Sequence, residues 1–188
     1  MERVLARIKE VYPLSGTALR KLVERLQELS LPKGHVLVRE GTVGNRLYFM
    51  ERGVARSFCY KDGKEITFWF GAEGSFISSY NGYIANQPGY GTIELLEDSQ
   101  LFTIDQASMQ ALFLNDLELA NWGRKLAELE LIKTEQMLIT QLFKTAQEKY
   151  HDLLTQNPEL LQRVQLGHIA SYLGVTQVTL SRIRTKTK

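Results

Sequence analysis

The sequence predicts an α+β fold in three parts: an N-terminal antiparallel β-roll, a long central helix and a small C-terminal helix-turn-helix domain. Short strands separated by glycines predict the roll, and a long proline-free stretch with helical periodicity predicts the central helix. Two short helical patterns around a glycine predict the last part. We therefore expect residues 1–114 to form the roll with its flanking helices, residues 115–143 the central helix, and residues 144–188 the helix-turn-helix domain.

An early helix is predicted by Ser15, which can cap a helix, and by apolar residues that follow it at steps of three and four. These apolar positions are Leu19, Leu22, Val23, Leu26 and Leu29. The segment Leu31-Pro32-Lys33-Gly34 then ends the helix, because proline and glycine both disfavour helical backbone. After this segment the pattern changes from helix to strand.

Six short segments are expected to be strands, because they are rich in β-branched and aromatic residues and are bounded by glycine-containing turns. They are His35–Arg39, Leu47–Met50, Val54–Tyr60, Glu65–Phe70, Gly91–Leu96 and Gln100–Ile104. Asp62-Gly63 lies between the third and fourth of them and predicts a tight hairpin, since this pair favours the positive φ of a two-residue loop. A compact antiparallel roll follows from this pattern.

Helix returns at Gln106–Leu114, runs long from Asp116 to about Phe143, and resumes at Thr145–Gln156. The long helix has a wider apolar face than one neighbouring surface needs, so we expect it to contact both its own roll and a second copy of the chain. The residues expected at this dimer interface are Leu126, Leu131 and Leu138. The pattern leaves open the alternative that the helix is buried wholly within one chain.

The segment QLGHIASYLGVTQVTLSRIR has the layout of two short helices around a turn. Gly174 can take the left-handed conformation that ends the first helix, and Thr176 is a good N-cap for a second helix over Gln177–Arg184. The residues expected to face inward are Val175, Leu180 and Ile183. The outward side chains can hydrogen-bond to bases or phosphates, and they are Gln177, Thr179, Ser181, Arg182 and Arg184.

The charge distribution of this segment fits either a polyanionic partner or a solvated cluster of charges, and composition alone favours neither. The chain carries a net charge of +2, yet residues 162–188 hold five basic residues and no acidic one. Such a basic tail on a mildly acidic body is typical of a protein that binds a polyanion. An ordinary helical hairpin in a core is the alternative, but the capped polar helix and the absence of acidic residues favour DNA binding.

Composition predicts a cytoplasmic protein with no membrane partner. Hydrophobic residues make up 44 % and charged residues 23 %, which is an ordinary globular balance. The N-terminus lacks the unbroken apolar stretch of a secretion signal, and no segment is apolar for long enough to span a bilayer. The single cysteine, Cys59, cannot form a disulfide within the chain and suits a reducing compartment.

Enzymatic, metal and cofactor chemistry are not expected. One cysteine and three widely separated histidines cannot form a zinc or iron–sulfur site within one chain. The spacing brings together no nucleophile with a base, and no clustered ligands of the kind that a metalloenzyme built on a β-roll would need. The catalytic, metal and cofactor sets are therefore predicted to be empty.

The stretch IASYLGVTQVTLSRIR closely resembles the helix-turn-helix of Crp/Fnr-type transcription regulators. The order of parts agrees along essentially the whole chain, which is similar to the short members common in Bacteroidetes. This resemblance implies that the roll is a cyclic-nucleotide-binding-like sensor and that the central helix forms a homodimer interface. It implies double-stranded DNA, a second copy of the chain and RNA polymerase as partners.

By this resemblance, Gln177, Val178 and Arg182 stand at base-reading positions, and Thr176 and Thr179 stand at phosphate-contacting ones. Many relatives carry glutamate where this chain has Val178, so base preference there should differ. The chain stops four residues after Arg184, which leaves no room for a full β-hairpin wing. The predicted DNA-binding set is Thr176, Gln177, Val178, Thr179, Ser181, Arg182, Arg184 and Lys186.

The sensor departs from relatives that bind cyclic AMP, which carry a Gly-Glu pair and a later arginine. Ser79 falls near the glutamate position and Tyr90-Gly91 near the arginine, and residues 65–123 hold eight acidic residues but no lysine or arginine. An unpaired phosphate would be costly to bury there, so cyclic AMP is disfavoured. A neutral or aromatic effector, or no effector, remains open, and the pocket candidates are Phe76, Ser79, Tyr80, Tyr83, Tyr90, Gly91, Thr92 and Thr134.

One alternative function is a cyclic-nucleotide-binding-like module that regulates a protein partner without binding DNA. The predicted helix-turn-helix counts against it.

Overall fold

The structure, a computed structural model, describes residues 1–186, apart from the side chain of Lys186. Its first half is a roll of two four-stranded sheets in which every strand pairing is antiparallel. One sheet has the order β1-β8-β3-β6 and the other the order β2-β7-β4-β5. The strands are β1 (Gln27–Leu31), β2 (Val36–Val38), β3 (Arg46–Arg52), β4 (Ala55–Lys61), β5 (Lys64–Gly71), β6 (Phe76–Ile77), β7 (Thr92–Leu95) and β8 (Ser99–Asp105).

Helices flank the roll and make up the rest of the described chain. They are α1 (Glu2–Val11), α2 (Gly16–Val23), α3 (Tyr80–Ala85), α4 (Gln106–Asn115), α5 (Leu117–Phe143), α6 (Ala146–Gln156), α7 (Pro158–Arg163), α8 (Leu166–Leu173) and α9 (Gln177–Lys186). Within the described range, the region after α5 contains helices only. The predicted α+β class, with a roll, a long helix and C-terminal helices, is therefore confirmed.

Local sequence signals place several of these boundaries. The Asp116 carboxylate accepts hydrogen bonds from the backbone N–H groups of Glu118 and Leu119 and so caps α5. Thr145 and Glu148 form a reciprocal capping box that starts α6. Each cap satisfies backbone donors that have no partner within their own helix.

The early helix is shorter than its apolar spacing predicted. Helix α2 ends at Val23, and Leu29 lies in strand β1 opposite Leu101 of β8. Pairing with β8 supplies the backbone partners that a longer helix would have supplied. Because β1 is short and mostly polar, its apolar residues could be fitted to the preceding helical repeat.

The first half of α5 packs against the roll, and this contact corrects the placement of one residue that was predicted at the dimer interface. Trp122 is fully buried, and its indole Nε1–H donates to the carbonyl oxygen of Ile8 at 2.9 Å. Leu126 is 8 % exposed and belongs to the same core as α1, α2 and α4. Leu126, expected at the dimer interface, is instead packed within its own chain, because the roll covers this part of the helix.

Candidate DNA-binding face and sensor cavity

Helices α8 and α9 are joined by a tight turn at the positions that the sequence indicated. Gly174 ends α8 with a φ of 69°, in the left-handed region that glycine enters without penalty. The Thr176 hydroxyl then accepts a hydrogen bond from the backbone N–H of Thr179 at 3.2 Å, which caps α9.

Helix α9 has a buried side and a polar exposed side. Leu180 and Ile183 are 1 % and 9 % exposed and pack against Ile169, Ala170 and Leu173 of α8. The exposed residues at the start and along the outer side of α9 are Thr176, Gln177, Val178, Thr179, Ser181, Arg182 and Arg184. The side chain of Lys186 lies outside the described residues. The fold thus brings seven of the eight predicted DNA-binding side chains to one accessible surface.

Helix α8 is docked on the free edge of the roll, a contact that sequence reasoning missed. Strand β5 is an edge strand, and its outer backbone groups need partners. The Ser171 hydroxyl accepts from the backbone N–H of Thr67 and donates to the carbonyl of Glu65, both at 2.8 Å. The C-terminal helices are therefore hydrogen-bonded directly to the β2-β7-β4-β5 sheet of the roll.

An ion-pair cluster fixes the same junction. Arg163 of α7 donates to both oxygens of Glu73, at 2.8 and 2.9 Å, and to both oxygens of Glu97. Burial alone would raise the pKa of Glu73, but the hydrogen bonds from Arg163 and from the backbone N–H of Gly53 outweigh it and lower this pKa to about 2. These contacts join residues that are 66 and 90 positions apart in the chain, so no local sequence pattern predicts them.

We expect Arg163→Ala to destabilise the protein by roughly 1–3 kcal/mol at neutral pH, because it removes the guanidinium hydrogen bonds of two half-buried carboxylates. The pKa of Glu73 is depressed below its ordinary 4.5, so this stabilisation is complete above pH 4.5 and is lost as the pH falls toward 2. Urea denaturation of both proteins across this pH range measures the effect.

The control for this prediction is Arg124→Ala, which breaks only an exposed pair with Glu128 and should cost under about 0.5 kcal/mol. A destabilisation by Arg163→Ala that stays the same down to about pH 3 would contradict the assignment.

A cavity of about 450 Å³ lies where the roll, α5 and the C-terminal helices meet. Of the eight predicted pocket residues, four line it: Phe76, Tyr80, Tyr90 and Thr134. Its remaining walls include residues that sequence reasoning did not select, among them Trp69 of β5 and Tyr172 of α8. No short motif marks these two residues, because they come together only when α8 docks on β5.

The other four predicted pocket residues do not line this cavity. Ser79 precedes α3 and packs beside Gly44 and Gly89, while Tyr83 packs against the core beneath α1 and α5. Gly91 lies against the ring of Phe68. The Thr92 hydroxyl accepts from the backbone N–H of Glu40 at 3.1 Å. Three of these positions are thus engaged in packing, and the fourth joins two segments of the roll.

The charged side chains in the cavity wall are Glu73, Glu130 and Lys133, and each has a partner of opposite charge. Lys133 lies 2.6 Å from the carboxylate of Glu130. The hydroxyl of Tyr80 donates to the same carboxylate at 3.4 Å, and burial together with this neighbour raises the pKa of Tyr80. An incoming anion would therefore find no cation in this wall that is free to pair with it.

The second half of α5 presents an apolar surface that its own chain does not cover. Leu131 is 69 % exposed and Leu138 is 56 % exposed. Further exposed apolar residues on this stretch are Ile132, Ile139, Leu142 and Phe143. A contiguous exposed apolar surface of this kind marks an interaction site in most proteins.

Among residues 1–186, no helix combines the length and apolar character needed to cross a membrane. In the same part of the chain, no group of three His, Cys, Asp or Glu side chains is placed to hold a metal ion.

Comparison with known proteins supports the architecture. Residues 28–116 match the family model of the cyclic nucleotide-binding domain. No protein of curated function matches the sequence.

Solved structures with the same fold include several bacterial proteins. FixK2 from Bradyrhizobium japonicum is 21 % identical with a TM-score of 0.69, and the match covers 86 % of this chain and 83 % of FixK2. The Catabolite Activator Protein of Thermus thermophilus is 18 % identical with a TM-score of 0.60, and the match covers 96 % and 85 %. A Eubacterium rectale protein described as a transcriptional regulator of the Crp/Fnr family is 16 % identical with a TM-score of 0.70, with 94 % and 87 % covered. At these identities the likeness establishes the fold.

Proposed function

We propose that this chain is a sequence-specific DNA-binding transcription regulator of the Crp/Fnr type that works as a homodimer in the cytoplasm. The observation that carries the proposal is the exposed side of α9, where Gln177 and Arg182 face solvent while Leu180 and Ile183 hold the helix in place. Arginine pairs with two acceptors of guanine, and glutamine pairs with adenine in the same bidentate way. The absence of acidic residues from 162–188 suits a surface that approaches phosphates.

The arrangement of parts supports the same function. In this proposal residues 1–114 are the sensor domain, residues 115–143 the dimerisation helix, and residues 144–188 the DNA-binding domain. Two solved structures, one named as a Catabolite Activator Protein and one described as a Crp/Fnr-family regulator, match 96 % and 94 % of this chain, so the likeness in fold extends over nearly its whole length. RNA polymerase is a further partner that the resemblance suggests. The role is regulatory rather than catalytic.

We place the dimer interface on the second half of α5, with Leu131 and Leu138 at its centre. These leucines are seven residues apart, so they lie on one face of the helix, as in the seam of a coiled coil. Leu126 is excluded because it is packed within its own chain. Pairing through this face would place one α9 helix on each side of the two-fold axis.

The sensor in this proposal responds to a small effector other than cyclic AMP, or to none. Support comes from the charged side chains of the cavity wall, each of which is already paired with a group of opposite charge. A buried phosphate needs a cation that is free to pair with it.

Selection of binding sites from random double-stranded DNA tests the function. A dimer that presents two α9 helices should enrich an approximately palindromic site, with half-sites about 34–36 Å apart, one turn of the double helix. A protein that enriches no sequence under conditions where it is dimeric would overturn the proposal and favour a module that acts on a protein partner.

A further inference from the structure

The cavity at the junction differs from a pocket enclosed by the roll alone, because three parts of the chain form its wall. Strand β5 contributes Trp69, α5 contributes Met137, and α8 contributes Tyr172. The ring of Tyr172 also lies 5.4 Å from that of Phe70, so the same aromatic contact joins the C-terminal helices to the sheet. A molecule in this cavity would touch the roll, the central helix and the C-terminal helices at once.

The wall is rich in aromatic side chains, and each of its charged side chains has a partner of opposite charge. Seven aromatic residues line the cavity, among them Phe68, Trp69, Phe70, Tyr90 and Tyr172. Its polar groups include hydroxyls, such as those of Ser57 and Thr134, and the amide of Asn157. Hydroxyl and amide groups orient a ligand through hydrogen bonds, whereas aromatic faces stack on planar rings.

The paired charges argue against an anionic ligand. Lys133 would have to leave Glu130, or Arg163 would have to leave Glu73 and Glu97, before either could neutralise an anion. Arg56 is 3 % exposed, is not part of this cavity wall, and is held by Glu65 and Glu94. An uncharged ligand needs none of these pairs to break, and the volume of about 450 Å³ lies within the range of small-molecule sites, roughly 300–1,000 Å³.

We propose that this cavity binds an uncharged, planar aromatic molecule of two or three rings, and that it excludes anions of the same shape. The inference deepens the proposed regulator and rests on it only for the role of the ligand as an effector. Because the ligand would contact β5 and α8 together, it would act on the junction that orients α9.

Two fluorescent probes that share one ring system test this inference. N-phenyl-1-naphthylamine is uncharged, and 8-anilinonaphthalene-1-sulfonate carries a sulfonate on the same scaffold. We expect the full chain to bind the uncharged probe at least about tenfold more tightly, since the sulfonate would be buried without a counter-charge. Cyclic AMP, an aromatic anion, should not displace the uncharged probe.

The substitution Met137→Arg tests whether the probes bind in this cavity. Met137 is a half-buried residue of α5 that lines the cavity, so a guanidinium at this position supplies the missing counter-charge. This variant should bind the sulfonate probe more tightly than the wild type does, and the uncharged probe more weakly. The matched control is Gln136→Arg, which adds the same charge one residue away at an exposed position outside this cavity wall.

Equal affinity of the wild type for both probes, displacement by cyclic AMP, or identical behaviour of the two arginine variants would each overturn the inference. The titrations contain no DNA. The probe titrations can therefore fail while the selection of DNA sites succeeds, or succeed while that selection fails. The two outcomes separate this inference from the proposed function.

Discussion

Replacing both Leu131 and Leu138 with glutamate is expected to convert the dimer into monomers and to abolish tight specific DNA binding. The double substitution would place four carboxylates together on the apolar surface where we propose that two α5 helices meet, and burying unpaired charge is strongly unfavourable. Light scattering should give half the mass of the wild-type particle. A monomer would reach one half-site only, and the loss of the second, linked contact weakens binding by about 10²–10⁴-fold.

The protomer itself should stay folded, because both leucines are largely exposed in it. A matched control is Leu114→Glu with Leu117→Glu. These leucines are 83 % and 78 % exposed, but they lie near the end of α4 and at the start of α5, away from the proposed interface. This control should remain dimeric, and Leu117 is the first residue of α5, where an acidic side chain is favourable. An unchanged mass for the Leu131 and Leu138 variant would move the interface to another surface.

The roll was predictable because its signals are local. Asp62 and Gly63 both have positive φ, at 51° and 73°, as expected for a hairpin between β4 and β5. The local apolar spacing predicts helix as far as Leu29 of strand β1, because the pairing of β1 with β8 joins residues more than 65 positions apart and leaves no local signal. The two-residue strand β6 is too short to produce a periodic pattern.

The candidate site residues also fall into two groups: those that local sequence patterns predict and those that depend on long-range contacts. The exposed residues of α9 follow from periodicity, since burial of Leu180 and Ile183 determines which side faces outward. The cavity could be predicted only in part, because side-chain direction in the segment around α3 depends on contacts with Gly44 and with α5. Likewise, Leu126 is buried and Leu131 is exposed, and nothing in the helix sequence around these two leucines predicts which of them the core covers.

Replacing Arg182 with alanine is expected to lower affinity for the selected site by roughly 1–3 kcal/mol and to relax preference at one base-pair position in each half-site. Arg182 is exposed on the outer side of α9, and its planar guanidinium can donate to both O6 and N7 of one guanine. Because its side chain faces solvent, the substitution should leave the thermal stability of the protein unchanged. Quantitative binding to the selected site and to its single-base variants measures both effects.

The comparison variant is Lys186→Ala, which removes a positive charge that we assign to a phosphate contact. Phosphate contacts carry no sequence information, so this variant should weaken binding to all sequences alike and lessen the dependence of affinity on salt. Selection from random DNA with the wild type and both variants then separates base reading from backbone contact. If Arg182→Ala retains the full base preference of the wild type, α9 is not the helix that reads the sequence, because this guanidinium is the most specific donor on its exposed side.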